Sequence, residues 1–515
     1  MKSYPLYDHP ALTNLRRLVD WNAEQRPEDV AFRYSDRKQP VSVSYARFRD
    51  EVNALGAYFA NQGLCNAKIA VLGENSYPWI LTYFAVVLSG NIIVPIDKEL
   101  PDDEIASLLT RCGATALVCS DTYADTAANM LQSGQVGSVF NMKDFSVFLQ
   151  AGKGLTIPDA TDETAVCSII FTSGTTGQPK GVMLTQRSLM VDTVGSCQNV
   201  YIAGASLLTL PLHHTFAFTT SVLAMLVYHV PICINKSLRT FMGDMQTFQP
   251  QNMFLVPLYV ETIYKNIWKT AEAQGKDKLL KGMIRVSNAL RKVGIDLRRK
   301  LFRSVLKQFG GELNLIVCGG APLKQNYIDG MDAIGVQVLN GYGITECSPV
   351  VAVNRNRYSR SGSIGLPLPC CEVKIIDDEI CVKGEIVMTG YYQDEDATQE
   401  VFVDGWFKTG DLGYQDKDGF LFITGRKKNL IILSNGKNVA PEELEEKLLD
   451  IDGVQEVVVY AEDGVITAEI FAEQETEIQE RVMALNKELP GYKRVQKVKF
   501  RDREFVKTTT KKIKR

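Results

Sequence analysis

The chain has 515 residues, of which 45% are hydrophobic and 23% are charged. These proportions match an average soluble globular protein and exclude a disordered, collagen-like or disulfide-scaffold chain. There are 57 Lys and Arg against 60 Asp and Glu, so the formal net charge is −3. This balance lacks the basic excess of a nucleic-acid-binding protein. At about 150 residues per domain, the length predicts about three domain-sized units.

The cysteines and the apolar stretches predict the compartment. Eleven cysteines are scattered along the chain with no CxxC pair, and an odd number does not suit a disulfide framework. We therefore expect free thiols in the cytoplasm. The N-terminus, MKSYPLYDHPALTNL, has no apolar signal core. Two apolar stretches, residues 79–96 and 216–234, contain turn residues, so each predicts a buried helix and strand and no transmembrane segment.

The first 350 residues alternate helical and strand patterns, which predicts parallel sheets covered by helices. In the first series we expect helices and strands over residues 45–62, 68–72, 79–88, 91–96, 102–112 and 114–119. In the second we expect strands around residues 168–172, 207–210, 254–257, 313–318 and 336–339, with a basic helical insert over 263–309.

The last third of the chain has a different pattern. Residues 363–425 show short strands separated by Asp-Asp and Asp-Gly turns, which predicts a small β-barrel or antiparallel sheet. From residue 426 a compact α+β module follows, with a helix from Pro441 and a hairpin across Asp463-Gly464. The predicted fold is therefore α/β, with an N-terminal domain of two α/β lobes and a β-subdomain over 1–425. A small, mobile C-terminal domain occupies 426–515.

A loop rich in glycine and hydroxyl residues follows the strand that ends near Thr172. Its sequence, over residues 171–181, is FTSGTTGQPKG. Small residues let backbone N–H groups approach an anion, the hydroxyls add donors, and Lys180 adds a positive charge. The loop lacks the Gly-Lys-Ser/Thr of a Walker motif. The pattern nevertheless predicts a phosphate-binding loop.

This loop and five further motifs, which occur in order, resemble the adenylate-forming family of acyl-CoA synthetases, peptide-synthetase adenylation domains and luciferases. The further motifs are GGAPL from Gly319, NGYGITE from Asn340, TGD from Thr409 followed by Gly425-Arg426, SNGKN from Ser434, and the terminal segment from Lys507 to Ile513. The terminal segment departs from the family in having Lys511 before the lysine that resembles the catalytic one, and Val506 where proline is frequent.

The resemblance implies site roles. The ATP- and AMP-binding residues would be Thr172, Ser173, Gly174, Thr175, Thr176, Gly177, Lys180, Gly320, Ala321, Pro322, Asn340, Gly341, Tyr342, Gly343, Thr345, Asp411 and Arg426. Lys512, Thr345 and His214 would be catalytic, Glu346 and Thr175 would hold Mg²⁺, and Lys428 would be the hinge. Gly436 and Lys437 would bind CoA, and the acyl pocket would comprise His213, Phe216, Phe218 and Thr219.

The residue chemistry agrees with several of these roles. Tyr342 offers a flat face for adenine, and Asn340 can read its polar edge. Glu346 is a hard oxygen ligand of the kind Mg²⁺ prefers. Asp411 can accept hydrogen bonds from two ribose hydroxyls.

The family reaction has two half-reactions. A carboxylate and ATP give acyl-AMP and pyrophosphate, and CoA then takes the acyl group and releases AMP. The basic insert resembles that of long-chain fatty acyl-CoA synthetases, so a medium- or long-chain fatty acid is the expected substrate.

Several alternatives stay open. An acyl carrier protein could replace CoA as the acceptor, or the chain could be a stand-alone adenylation enzyme. A non-catalytic nucleotide- or membrane-binding protein is the contrasting class, because residues 493–515 hold eleven Lys and Arg against two acidic residues. Peripheral membrane contact, and a monomer or a homodimer, are all compatible with the sequence. No nucleic-acid partner is expected.

Overall fold

The computed structural model describes residues 4–36, 39–158, 162–172, 179–433, 437–462, 464–472, 475–507 and 513. The chain divides into two compact units, each described below by itself. The larger unit comprises Lys2–Glu372 and Lys383–Phe402, and the smaller comprises Val373–Val382 and Val403–Arg515. The strands on both sides of residue 425 thus fall within the smaller unit. The predicted mobile domain over 426–515 stays a prediction.

The α-helices alternate with strands through most of the chain. They are α1 Leu15–Gln25, α2 Tyr45–Asn61, α3 Tyr77–Leu88, α4 Asp102–Cys112, α5 Ala124–Gln132, α6 Phe145–Gly152, α7 Gln186–Asn199, α8 Thr215–Phe218, α9 Ala224–Val227, α10 Phe241–Phe248, α11 Pro257–Ala273, α12 Asp277–Lys292, α13 Arg298–Leu301, α14 Arg303–Leu306, α15 Gln325–Ala333, α16 Glu395–Val401, α17 Pro441–Leu449 and α18 Glu475–Glu488. A π-helical segment, Thr219–Leu223, joins α8 to α9.

The strands range from two to ten residues. They are β1 Val30–Asp36, β2 Gln39–Ser44, β3 Lys68–Leu72, β4 Ile92–Pro95, β5 Ala116–Cys119, β6 Ser138–Asn141, β7 Val166–Thr172, β8 Lys180–Thr185, β9 Ser206–Leu208, β10 Ile232–Ile234, β11 Asn252–Leu255, β12 Leu315–Cys318, β13 Gln337–Gly343, β14 Val350–Val353, β15 Leu366–Pro367, β16 Cys371–Ile376, β17 Glu379–Gly384, β18 Gly390–Tyr391, β19 Phe402–Val403, β20 Trp406–Gln415, β21 Leu421–Arg426, β22 Ile431–Ile432, β23 Asn438–Val439, β24 Val454–Glu462, β25 Val465–Ala472 and β26 Lys497–Arg501.

The larger unit contains two mixed sheets with parallel centres. Within the described residues, one sheet has the order β15-β14-β13-β12-β11-β9-β10-β1-β2, and the other has the order β18-β8-β7-β4-β3-β5-β6. The central strands β13, β12, β11, β9 and β10 run parallel, as do β7, β4, β3, β5 and β6. Both parallel series predicted from the sequence are present, with antiparallel strands added at their edges. One strand was assigned to the wrong series: the strand predicted around residues 168–172 is β7, which pairs with β4 in the sheet of the first series.

The smaller unit is built from antiparallel pairs and one parallel pair. Its described strands give a sheet in the order β16-β17-β20-β19 with β21 beside β20, a β22-β23 pair, and the sheet β24-β25-β26. Of the two forms predicted around residues 363–425, the antiparallel sheet is the one found, because β20 pairs antiparallel with both β17 and β21. Helix α17 begins at Pro441, as predicted, and buries Leu444 and Leu448.

The prediction is wrong at the boundary between the strand around residues 254–257 and the helical insert. The strand expected around residues 254–257 ends at Leu255, and Pro257 instead occupies the first turn of α11. Proline is favoured there because its missing N–H would have no partner in a helix start. The helical insert therefore begins at residue 257, earlier than the predicted 263.

Both apolar stretches form a helix followed by a strand, as predicted. The first is α3 and β4, joined at Ser89-Gly90, and the second is the helical run from Thr215 to Val227 followed by β10. Among the described residues, no helix combines the length and apolarity that a membrane span requires.

Candidate functional site

Two of the predicted nucleotide motifs and the His213-His214 segment lie at the ends of parallel strands of the nine-stranded sheet. The segment Gly319–Pro322 follows β12, residues 340–343 form the end of β13, and the segment containing His213 and His214 follows β9. Because parallel strands present their carboxyl ends at one edge of a sheet, these segments lie on the same edge. The register pairs Cys318 with Asn340, which sets the start of the glycine segment beside the NGYG segment.

Two glycines permit close approaches at this edge. A Cβ on Gly343 would lie 2.1 Å from the carbonyl oxygen of Pro349, so only glycine allows β13 to pass β14 there. A Cβ on Gly319 would lie 3.0 Å from the Phe216 ring. The Phe216 ring thus packs directly against the GGAPL segment, which is predicted to bind the nucleotide. The structure thereby brings a predicted acyl-pocket residue and a predicted nucleotide segment together.

The other predicted acyl-pocket residues have different surroundings. Phe218 is buried and stacks on Tyr83, with a ring-centroid distance of 3.7 Å, so it belongs to the aromatic core around α3. Thr219 is buried, and its hydroxyl donates to the Ser348 carbonyl at 3.1 Å. That bond fixes the helical run to the chain just after Glu346. Pocket roles for Phe218 and Thr219 stay predictions.

The two adjacent histidines lie at the start of α8. Their ring centroids are 4.0 Å apart, and His214 is the residue immediately before the helix. Burial, together with the nearby positive charge of Lys98, lowers the pKa of His213 to about 3. The Asp97 carboxylate is 3.6 Å from Nε2 of His213, too far for a hydrogen bond, so burial prevails and the imidazole is neutral at pH 7.

The neutral state of His213 predicts a pH dependence of stability. Its pKa is lower in the folded chain than the ordinary 6.5, so the unfolded chain binds the proton first as pH falls. Stability is therefore complete above pH 6.5 and is lost progressively from pH 6.5 towards pH 3. We expect His213 to account for a loss of about 2 kcal/mol in the free energy of unfolding between pH 7 and pH 5.

Urea titrations of the wild type and of His213→Asn at pH 7 and pH 5 measure this contribution. Between pH 7 and pH 5 the free energy of unfolding of the variant should fall by about 2 kcal/mol less than that of the wild type. Between pH 7 and pH 8 the free energies of unfolding of the two proteins should change by the same amount. Equal acid losses in both proteins would show that the imidazole is not held neutral by burial.

The described ends of the phosphate-loop hairpin meet the Glu346 segment at a tyrosine that the motif analysis missed. The hydroxyl of Tyr391 donates to Oε1 of Glu346 at 2.9 Å. The Lys180 ammonium lies 4.7 Å from the centroid of the same ring. Burial and the neighbouring Glu346 carboxylate raise the pKa of Tyr391, so the phenol stays protonated and acts as a donor. One buried tyrosine thus joins a predicted phosphate-binding lysine to a predicted metal ligand.

Thr345 and Glu346 lie in a short 3₁₀ turn, Thr345–Cys347, and both side chains are half-buried. The backbone N–H of Met388 donates to the Glu346 carbonyl at 2.8 Å. No cluster of three or more His, Cys, Asp or Glu suited to a metal occurs in the part of the chain that the structure describes. A single carboxylate still fits Mg²⁺, which commonly binds one or two carboxylates together with substrate phosphates.

In the smaller unit, the two predicted nucleotide-binding residues Asp411 and Arg426 form an ion pair. They face each other across β20 and β21, and Nε of Arg426 lies 2.7 Å from Oδ1 of the buried Asp411. Glu379 and Lys427 form a second ion pair, which the motifs did not indicate, and Glu379 also contacts the residue before Asp411. Buried Glu379 accepts from the Gly410 N–H at 2.8 Å and from the Lys427 ammonium at 2.7 Å. This bond raises the pKa of Lys427.

The remaining predicted residues are only partly described. Lys428 lies exposed in the turn Lys427–Asn429, and the Lys437 ammonium lies 4.3 Å from the centroid of the Tyr492 ring. Thr172 ends β7 and lies opposite Lys180. Several predicted residues lie outside the described residues, namely Ser173, Gly174, Thr175, Thr176, Gly177, Gly436 and Lys512.

Comparison with known proteins identifies the family. A profile of the family described as AMP-binding enzyme matches residues 19–392. The chain belongs to this family. The matched range includes the phosphate-loop, GGAPL and NGYGITE motifs, so the resemblance drawn from the sequence is confirmed.

This AMP-binding enzyme has relatives named long-chain-fatty-acid–CoA ligase. It is 32% identical over 464 residues to one from Mycobacterium bovis, covering 80% of this chain and 76% of that protein. It is 29% identical over 494 residues to one from Salmonella typhimurium, and the match covers 84% of this chain and 81% of that protein.

A solved anthranilate CoA ligase in complex with anthranoyl-AMP matches with a TM-score of 0.80 at 19% identity, covering 98% of this chain and 96% of that one. A second solved structure that matches is O-succinylbenzoate coenzyme A synthetase from Bacillus subtilis, in complex with ATP and magnesium ion. Its TM-score is 0.75 at 23% identity, and the match covers 96% of this chain and 98% of that one. At these low identities, the structural similarity shows the fold alone, and it confirms the predicted α/β class with a large and a small domain.

Proposed function

We propose that this AMP-binding enzyme is an ATP-dependent acyl-CoA ligase that activates a medium- or long-chain fatty acid. The observation that carries the proposal is the meeting of the GGAPL, NGYG and His213-His214 segments at one sheet edge, beside Phe216. The names of its relatives support a long-chain fatty acid as substrate. The eleven cysteines, all within the described residues, are free thiols, which is compatible with a cytoplasmic location.

In the first half-reaction the substrate carboxylate attacks the α-phosphorus of ATP. A carboxylate oxygen–phosphorus bond forms, and the bond to pyrophosphate breaks. This chemistry needs positioning and charge stabilisation more than covalent help. Lys512 and Thr345 stabilise the α-phosphate, Lys180 holds the departing phosphates, and Asp411 positions the ribose. Glu346 would hold Mg²⁺, which would supply charge neutralisation when bound.

In the second half-reaction the CoA thiolate attacks the acyl carbon. The carbon–sulfur bond forms, and the bond to AMP breaks. Gly436 and Lys437 are the residues we assign to CoA. His214 immediately precedes α8, and we assign it to the approach of the acyl chain to the nucleotide. Neutral His213 beside it adds no charge where an apolar chain would enter.

The reaction is tested by measuring AMP formation from ATP with a series of saturated fatty acids from acetate to palmitate. We expect AMP release that depends on both acid and CoA, with a maximum at medium or long chains. A parallel series with acyl carrier protein in place of CoA tests the alternative acceptor. Failure to release AMP with every acid and both acceptors would contradict the proposal and favour a non-catalytic nucleotide-binding protein.

The tyrosine that contacts Glu346 gives a second prediction. Tyr391→Phe removes the hydroxyl that donates to Oε1 but keeps the ring beneath Lys180. Groups that orient a metal ligand typically contribute 10–100-fold to metal affinity or activity, so we expect about a tenfold higher Mg²⁺ requirement for ATP binding. Titration of Mg²⁺ at fixed ATP, followed by binding of a fluorescent ATP analogue, measures it without turnover.

The adjacent Tyr392→Phe is the matched control. Its hydroxyl contacts the Cys112 carbonyl at 3.4 Å and not Glu346. The control should keep the wild-type Mg²⁺ requirement. If both variants shift equally, the Tyr391 hydroxyl has no specific role toward Glu346.

The hinge assignment gives a third prediction. Lys428→Pro fixes φ near −65° at this turn and restricts Lys427 before it, so a backbone rotation here would be blocked. We expect adenylation to be kept within a fewfold and overall thioester formation to fall about a hundredfold or more. Lys428→Ala, which leaves the backbone free, should behave like the wild type. Normal turnover in the proline variant would place the hinge elsewhere.

A further inference from the structure

Helix α12, in the basic insert of the larger unit, carries a stripe of exposed aliphatic side chains. Leu279, Val286 and Val293 are spaced seven residues apart and are 60%, 58% and 71% exposed. Val293 is the residue just after the helix end. A seven-residue spacing is close to two helical turns, so the three side chains lie along one face. Exposed Ile295 and Leu297 continue the apolar surface beyond the helix.

A second stripe, of basic side chains, runs beside the first. Lys278, Arg285 and Lys292 each precede an aliphatic member of the first stripe by one position, and all three are exposed. One helical position corresponds to about 100° around the axis, so the basic stripe flanks the apolar one on the solvent side. None of these three side chains forms an ion pair with any residue that the structure describes.

The opposite face of α12 holds the helix on the larger unit. Leu280 and Ser287 are buried, and Met283 and Ile284 pack against the core there. At the end of the helix, Arg291 pairs with Asp332 at 2.7 Å. The helix is therefore anchored through one face, and the packing of the core does not use the two stripes.

We infer that the exposed face of α12, defined by these two stripes, docks on the surface of an anionic phospholipid bilayer. An apolar stripe beside a row of lysines and arginines is the pattern of helices that lie in the bilayer interface. The charge complements such a surface: residues 257–309 contain thirteen Lys and Arg against four Asp and Glu. The net charge of the whole chain is −3, so the basic excess is local.

A second copy of the chain fits this face less well. A symmetric contact would bring the basic stripes of two copies close together, where like charges repel. Three aliphatic side chains also supply little of the roughly 800 Å² per partner that a standard interface buries. A bilayer instead offers both apolar depth for the aliphatic stripe and phosphate charge for the basic stripe.

Vesicle binding of the full-length protein tests the inference. The probe is vesicles of phosphatidylcholine, alone or mixed in equal parts with phosphatidylglycerol, in a flotation assay. Each Lys or Arg near an anionic surface contributes about 1 kcal/mol, so the triple variant Lys278→Gln/Arg285→Gln/Lys292→Gln should bind the mixed vesicles about a hundredfold more weakly. Pure phosphatidylcholine should bind the wild type weakly.

The apolar stripe is tested by Leu279→Ser/Val286→Ser/Val293→Ser, which should also lose vesicle binding. A matched control neutralises three exposed lysines elsewhere, Lys153→Gln/Lys417→Gln/Lys487→Gln, and should lose much less. Unchanged thermal unfolding shows that each variant is folded. A gain-of-signal variant, Val286→Trp, avoids any folding defect: its fluorescence should shift to the blue with anionic vesicles and be quenched by brominated lipids.

Three results would overturn the inference. One is a wild type that does not bind anionic vesicles. Another is α12 variants that bind as the wild type does, which would assign any vesicle binding to the basic residues 493–515. The third is a concentration-dependent dimer that the α12 variants abolish, which would identify a second copy as the occupant. Because vesicle binding is measured without substrate, each result leaves the proposed ligase activity as it stands.

Discussion

Replacing Lys512 with alanine is expected to lower the rate of acyl-adenylate formation by about 10² to 10³-fold, which corresponds to about 3–4 kcal/mol. The reason is electrostatic. Negative charge grows on the α-phosphate as the substrate carboxylate attacks, and the positive charge of a lysine there stabilises it. Lys512 lies outside the described residues, so the assignment depends on its place in the terminal motif. The rate is measured as acid-dependent exchange of labelled pyrophosphate into ATP.

The same variant should make thioester from supplied acyl-AMP and CoA at close to the wild-type rate, because that step transfers the acyl group after pyrophosphate has left. Lys511→Ala, one position earlier, is the matched control: it removes an equal charge from the same segment. Its adenylation rate should fall by less than about tenfold. If Lys512→Ala impaired both half-reactions equally, or if Lys511→Ala were the more damaging, the catalytic lysine would be misassigned.

Local sequence predicted many elements to within a residue or two because their ends carry local signals. Helix α4 spans the predicted range, with Asp102 and Asp103 in its first turn and left-handed Gly113 after its end. Helix α2 begins directly after Ser44, whose side chain accepts from the Arg47 N–H. Proline occurs both near strand ends and in the first turn of helices, so it does not distinguish the two. The predicted strand therefore included Pro257, which in the structure begins α11.

The motifs indicated the segments that meet at the sheet edge of the larger unit, but the residues that contact the predicted site residues could not be found this way. Tyr391 reaches Glu346 across 45 residues of sequence, and Glu379 reaches Gly410 across 31. Neither contact is set by a local repeat, because each depends on how separate strands pack. The buried position of Phe218 against Tyr83 has the same origin, since an aromatic residue in an apolar run has the same pattern in a pocket wall as in a core.

Replacing Glu346 with glutamine should also impair adenylation by about a hundredfold or more, for a reason distinct from that of Lys512. Glutamine keeps a carbonyl oxygen that can accept the Tyr391 hydrogen bond, so the local geometry should survive while the negative charge is lost. A metal ion contributes several kcal/mol to charge stabilisation, and a neutral amide binds Mg²⁺ far more weakly than a carboxylate does. The defect should therefore be relieved in part by raising Mg²⁺ concentration.

Pyrophosphate exchange over a range of Mg²⁺ concentrations separates the two roles. Glu346→Gln should need more Mg²⁺ to approach its maximal rate, whereas Lys512→Ala should keep the wild-type Mg²⁺ dependence at a lower maximal rate. Glu312→Gln, at an exposed carboxylate in the larger unit, is the control and should match the wild type. A Glu346→Gln enzyme with normal rate and normal Mg²⁺ dependence would remove Glu346 from the metal site, and the Tyr391 contact would then be structural only.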